Sequence, residues 1–140
     1  APADTDYWAD VRRRIDASPH GERIVDEGFQ PRARLYEDLD VVAVPSDFPD
    51  AHPFVVKEAQ VAGVPVVGYP AGGIPDMIAH GETGFLAAAP SEFATALGRL
   101  CDEPGLFESI RRQAWAYAQR EFPMARFHDR VLAAYRKALR

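Results

Sequence analysis

The sequence predicts an α/β protein: a parallel sheet flanked by helices, closed off by a wholly helical carboxyl-terminal part. Three observations carry this reading. The runs at residues 41–44 and 65–67 have the unbroken apolar character of strands covered on both faces. The segment between them opens at Pro53 and stops at Gly63, as a helix does, so the three pieces make a β-α-β unit. Beyond residue 89, apolar side chains recur at spacings of three and four, the period of amphipathic helices.

Length and composition bound the problem. With 140 residues, 47% of them apolar, the chain can bury one core and hardly two, so a single domain over residues 1–140 is expected. Sixteen basic residues against 21 acidic ones give a net charge of −5. That argues against nucleic acid as a general partner and leaves room for a small anion in a local pocket. No leader is evident and no apolar run approaches the ~20 residues of a membrane span, so a cytoplasmic protein is expected, with peripheral membrane attachment as the further case. Cys101 is the sole cysteine, which excludes an internal disulfide, and the pattern of its helix makes it a small core residue. His20, His80 and His128 have no partners at ligand spacing, so no metal is expected.

Taken in order, the chain opens on a helix with Thr5 or Asp6 as cap, Tyr7, Val11 and Ile15 on one face, and an end near Ser18-Pro19. Arg12, Arg13 and Arg14 read as a solvated face of that helix. Residues 23–29 read as a short strand ending at Gly28, and Pro31 opens a helix through Leu35, Tyr36 and Leu39. After the strand 41–44, the helix from Pro53 carries Phe54, Val55, Ala59 and Ala62 toward the sheet. Glu58 shares the row of Phe54 and Ala62, and an acid there is costly to desolvate without a partner. Gly72-Gly73 gives the chain backbone freedom and feeds a short helix at Pro75, while residues 81–84 turn into a strand at 85–88. Three helical stripes follow. Phe93, Leu97 and Leu100 form the first; Phe107, Ile110, Ala114 and Tyr117 the second; and Phe127, Val131, Tyr135 and Leu139 the third, with Phe122-Pro123 between the last two. Trp115 reads as a packing residue.

Chemistry concentrates around the central helix. Asp50 stands eight positions before Glu58, in the loop at the carboxyl end of a strand, where open α/β sheets bind ligands. At fully helical spacing the two acids lie ~12 Å apart, about the reach of a diphosphate joining two sugar rings. The first turn between them offers free N–H groups at Phe54, Val55 and Val56 to phosphate or sugar oxygens. Acid, anion site and acid in that order suit a nucleotide sugar. The plainer readings are that Asp47 and Asp50 cap the helix and that Glu58 is a solvated acid. His52 is a candidate general base by location alone. Neither a P-loop, a GxGxxG fingerprint nor a Ser-His-Asp order occurs.

Residues 41–89, with PS, D(x7)E, EAxxAGVPVV, GGIPD and GETGFL in series, resemble the carboxyl-terminal nucleotide-binding domain of the retaining GT-B glycosyltransferases of group 1, family 4. The segments ERIVDEGF and LYEDLDVVAVPS extend the likeness upstream. The resemblance implies a Rossmann-like parallel sheet, in part a GT-B carboxyl-terminal domain. It implies that Glu58 bonds the nucleotide ribose and that Asp50, one methylene shorter than the usual Glu, holds the donor sugar. It assigns Asp50 and His52 to the reacting end, and Ser46, Phe54, Val55, Gly72 and Gly73 to the donor pocket. His52 and Pro53 stand where Phe-Gly is usual, and Pro53 has no N–H to give. Matching HPF to the family's EPF with one residue deleted places His52 at the sugar end instead. Asp76 occupies a position where Glu is usual.

The implied function is the donor-binding portion of a retaining glycosyltransferase using a UDP- or GDP-linked sugar, without cofactor or metal and inactive by itself. The family's amino-terminal acceptor domain, and the two strands whose Arg and Lys neutralise the diphosphate, have no counterpart in these residues. In the order 3-2-1-4-5-6 that leaves a gap between the first strand present and the one at 41–44. Closure is expected by pairing residues 23–27 with 41–44, or by self-association through the exposed edges. The last helix, which in the family braces the other domain, is expected to leave an apolar patch uncovered. The alternatives are a non-catalytic binding or interaction module of the same fold and a fragment of a nucleotide-sugar epimerase.

Overall fold

The computed structural model describes residues 5–139, which fall into two compact units, Ala1–Pro31 and Arg32–Arg140. In the first, helix α1 (Thr5–Asp16) is followed by a 3-10 turn (Gly21–Arg23). Asp10 receives both Arg13 and Arg14 at 2.7 Å, so the basic cluster is a solvated face laced by local ion pairs. Exposed pairs of this kind add little stability. The expected Thr5 cap lies outside the described side chains.

Residues 24–28 form no strand. A strand needs a neighbour to take its backbone hydrogen bonds, and among the described residues none pairs with this segment. Its apolar side chains remain outside, Val25 71% and Phe29 97% exposed. Asp26 instead accepts the Gly28 N–H at 3.0 Å, and Gly28 turns through φ 60°. Of the expected strands, the one at residues 23–29 is therefore not among those of the sheet.

The second unit opens with α2 (Arg32–Leu35), shorter than the helix expected from Pro31 to Leu39. Strands β1 (Val42–Val44), β2 (Val66–Gly68) and β3 (Gly84–Leu86) form a parallel sheet in the order β1-β2-β3, with Val42 opposite Val66 and Val66 opposite Gly84. The central strand β2 is buried throughout. In β1 Val42 and Val44 are buried, while Ala43, on the opposite face, is open. Successive side chains of β2 point to opposite faces and so serve two cores. Val66 joins Val42, Val44, Ile74 and Met77, while Val67 joins Phe85, Phe93, Leu100 and Ile110.

Helix α3 (Phe54–Val61) crosses from β1 to β2 and buries Val56, Ala59 and Gln60, a stripe one residue out of phase with the expected Phe54, Val55, Ala59 and Ala62. Phe54 and Val55 face outward. Gln60 is tolerated inside because its Nε2 donates to the Met77 carbonyl at 2.8 Å. Gly63, at φ 72°, ends the helix in the left-handed region.

The short α4 (Ile74–Met77) follows β2, and three longer helices complete the unit: α5 (Pro90–Asp102), α6 (Pro104–Glu121) and α7 (Met124–Ala138). Pro90, at the first position of α5, lacks an N–H that would have no partner there, and Glu92 reaches back to accept the Ala88 N–H at 2.7 Å. Helix α6 turns Ile110, Ala114 and Ala118 inward. Cys101 is exposed, against the core position expected, because the buried stripe of α5 is Phe93, Ala96 and Leu100. Trp115 is 52% exposed, its indole outside the packed stripe of α6. No residue of α7 is buried, so Phe127, Tyr135 and Leu139 form the uncovered apolar stripe that the sequence foreshadows. No described helix is long and apolar enough to cross a membrane.

Ile110 and Phe127 test this division of apolar residues. Ile110→Ala should cost about 2–5 kcal/mol by urea denaturation, since it hollows a site with no exposure. Phe127→Ser should cost no more than about 0.5 kcal/mol. Comparable losses would place α7 inside the folded core.

Candidate functional site

The loop after β1 and the loop after β2 leave the sheet side by side at its carboxyl end, where adjacent strands are only ~4.8 Å apart. They meet backbone to backbone. The Gly73 N–H donates to the Asp50 carbonyl at 2.7 Å. A methyl on Gly72 would fall on the main chain of Asp50, one on Gly73 would fall on the Ala51 carbonyl, and Gly72 itself sits at φ 54°. The paired glycines thus serve the contact between loops. The Asp50 carboxylate folds back to accept the His52 N–H at 2.9 Å, a local turn bond, and stays exposed.

Helix α3 begins at the end of this loop and carries Glu58 on the face turned away from the sheet. Glu58 is half-buried, and the Tyr36 hydroxyl donates to its Oε2 at 3.1 Å. This is the partner that a partly desolvated acid requires. Tyr36, Leu39, Phe54, Lys57, Glu58 and Arg111 line an open cleft of about 670 Å³. Of the expected site residues the cleft gathers Glu58 and Phe54. Asp50, His52, Ser46, Val55, Gly72 and Gly73 are not among its lining residues. Ser46 is half-buried, and Val55 is exposed on the first turn of α3.

A second group of side chains joins these loops to the end of α6. The His52 ring meets Phe122 edge-on, centroids 6.2 Å apart, and Phe122 meets Tyr117 in the same way at 5.7 Å. Lys57 Nζ lies 5.1 Å from the Phe122 centroid and 5.7 Å from that of Phe54. The Tyr117 hydroxyl donates to the Asp76 carbonyl at 3.2 Å, which ties α6 to the loop after β2. Burial lowers the His52 pKa from the usual histidine value, Lys57 lowers it further, and Asp50 opposes both. Burial also pushes the Tyr117 phenol up, with the charge of Glu121 assisting.

Sequence reasoning singled out the acids and missed Tyr36, Lys57, Arg111 and Phe122 as neighbours of the site. Tyr36 and Phe122 carried only helical-stripe or boundary signals. Their roles come from contacts 22 residues away for Tyr36 and across the α3–α6 interface for Phe122. Among the described residues no group of three or more His, Cys, Asp or Glu is arranged to hold a metal ion.

The family model for group 1 glycosyl transferases matches residues 4–103. The chain belongs to this family. It is 40% identical to a D-inositol 3-phosphate glycosyltransferase of Actinosynnema mirum over 80% of its length, covering 27% of that relative. A Corynebacterium kroppenstedtii protein of the same description is 32% identical over 81% of the chain, which covers 25% of it. The chain thus spans about a quarter of the length of these curated relatives.

Among solved structures, Anabaena Alr3699/HepE in complex with UDP and glucose superposes at a TM-score of 0.86 with 25% identity, over 96% of this chain and 37% of the other. The carboxyl-terminal domain of the group 1 glycosyl transferase LpcC from Francisella tularensis matches in fold at 0.75, with 21% identity over 89% of this chain and 66% of that one. The group 1 family membership and the parallel sheet with flanking helices, both expected from the motifs, hold for this chain.

Two measurements check the site's geometry. Gly73→Ala should lower the denaturation midpoint by the equivalent of about 1–3 kcal/mol, because the backbone it strikes cannot rotate away. An unchanged midpoint would mean the two loops do not touch. By NMR, His52 should titrate below the ordinary ~6.5, and its midpoint should rise in Lys57→Met. The unfolded ring takes up its proton at higher pH than the folded one, so this contribution to stability is full above ~6.5 and is lost as pH falls toward the folded midpoint.

Proposed function

We propose that this glycosyltransferase chain is the donor-binding portion of a retaining enzyme that uses a nucleoside-diphosphate sugar, UDP- or GDP-linked. One observation carries the reading: Glu58, held by Tyr36, is a half-buried carboxylate on an aromatic-walled cleft beside the first turn of α3. A carboxylate fixed in this way suits a vicinal pair of hydroxyls, the pattern a ribose presents. The relatives are described as D-inositol 3-phosphate glycosyltransferases, and the Anabaena protein holds UDP and glucose, which supports a nucleotide sugar as ligand.

In this reading Asp50 and the first-turn amides of Phe54 and Val55 face the sugar end, with Ser46 and the Gly72-Gly73 loop as its walls. Catalysis is then a matter of electrostatic placement, holding the sugar while the leaving diphosphate is stabilised. His52, kept neutral by its lowered pKa, is available there as a hydrogen-bond acceptor or base. No metal or cofactor enters the scheme, and the acceptor is held by parts of the protein outside these residues. A second reading, a binding module without transfer activity, is favoured by one observation. The Asp50 carboxylate is already taken by the His52 N–H, and Pro53 has no amide to give.

Calorimetry with UDP and GDP tests the binding claim. Glu58→Gln should weaken the preferred nucleotide about 10- to 100-fold, the value of charge-assisted hydrogen bonds lost from a ribose. An affinity indifferent to that substitution would remove Glu58 from the site. With the complete protein, sugar transfer that survives Asp50→Asn and His52→Ala would exclude both from the reacting end.

A further inference from the structure

Lys57 occupies the ground between the two ends of the site described above. On one side it lines the cleft with Glu58, and on the other it lies against Phe122, whose edge carries His52. Its ammonium faces two aromatic rings, Phe54 at 5.7 Å and Phe122 at 5.1 Å. Among the described residues no carboxylate pairs with it, whereas Arg111, the other cation of the cleft wall in that set, has Glu108 at 3.9 Å. A lysine without an acid partner, steered by two ring faces, has already given up rotamer freedom and keeps its donors for a ligand.

We propose that Lys57 is a phosphate-binding residue of the donor site, contacting the diphosphate that links a nucleoside at Glu58 to a sugar near His52. The inference rests on the donor-site reading and adds to it a charge of opposite sign between two acids. A diphosphate carries negative charge, and an ammonium beside its path attracts it. Lys57 stands at the end of the first turn of α3, whose N-cap Pro53 makes no side-chain cap bond, so side-chain charge and helix dipole act on one ligand group.

The test compares UDP with uridine on the wild-type chain, Lys57→Gln and Lys57→Arg, following ligand-induced NMR shifts. Far-ultraviolet circular dichroism confirms that each variant is folded. The expected result is a loss of about 10-fold or more in UDP affinity in Lys57→Gln, partial recovery in Lys57→Arg, and uridine binding unaltered by either. Raising the salt concentration should weaken UDP binding more in the wild type than in Lys57→Gln. If UDP binds wild type and Lys57→Gln equally, Lys57 does not contact phosphate, while the donor-site reading stands. If Lys57→Gln weakens UDP and uridine alike, Lys57 only shapes the cleft and the inference is overturned. If the folded wild-type chain binds neither ligand, both readings fall.

Discussion

The site depends on two loops that touch through their backbones. Parallel pairing of β1 and β2 sets their carboxyl ends one strand spacing apart, so the chain leaving each strand runs directly against the other. There is no space for a side chain between them, which is why Gly72 and Gly73 face Asp50 and Ala51. The hydrogen bond from Gly73 to the Asp50 carbonyl then fixes the height at which α3 starts. Everything carried on α3 inherits that position, including Glu58 at its second turn and Lys57 beside it.

Helix α6 supplies the second support. It packs along α3 and ends in Tyr117 and Phe122, which hold the loop after β2 through the Asp76 carbonyl and the loop after β1 through the His52 ring. Aromatic edge contacts of this sort add about 0.5–1.5 kcal/mol each beyond the area they bury, enough to favour one loop arrangement without locking it. The outward face of α3 is thereby left for the cleft and its inward stripe, Val56, Ala59 and Gln60, for the core. The exposed stripe of α7 belongs to neither. An apolar surface of that length suits another layer of protein, and the relatives are about four times as long as the stretch shared with this chain.

The elements that could be read from sequence are those whose signal is local. Pro53 and Gly63 bound α3, Gly81 and Gly84 frame the turn into β3, and the apolar runs at 41–44 and 65–67 mark strands, because each depends on backbone chemistry a few residues wide. Residues 24–28 open on the apolar pair Ile24-Val25 and form no strand, since a strand is a relation between two segments and the composition of one does not supply the other. The phase of α3 was missed for a similar reason. Phe54 and Val55 are more apolar than Gln60, yet Gln60 goes inside because the Met77 carbonyl is there to receive it. Cys101 and Trp115 went outside because smaller or better-placed neighbours already fill the stripe.

The candidate site shows where spacing stops being a guide. Eight residues between two acids describe a fixed distance only if the chain between them is helical, and here the helix begins at Phe54, so half the interval is loop. Within that half, the Asp50 carboxylate closes a turn on His52 and is held by its own loop. The second acid is held by a residue 22 positions earlier, through Tyr36, and faces a cleft whose lining leaves the first acid out. A ligand spanning both must therefore cross the ground between them, where the described charge facing it is an ammonium set against Phe54 and Phe122. In the proposed donor site, the lysine beside Glu58 gives that ground a positive charge that an anion can follow.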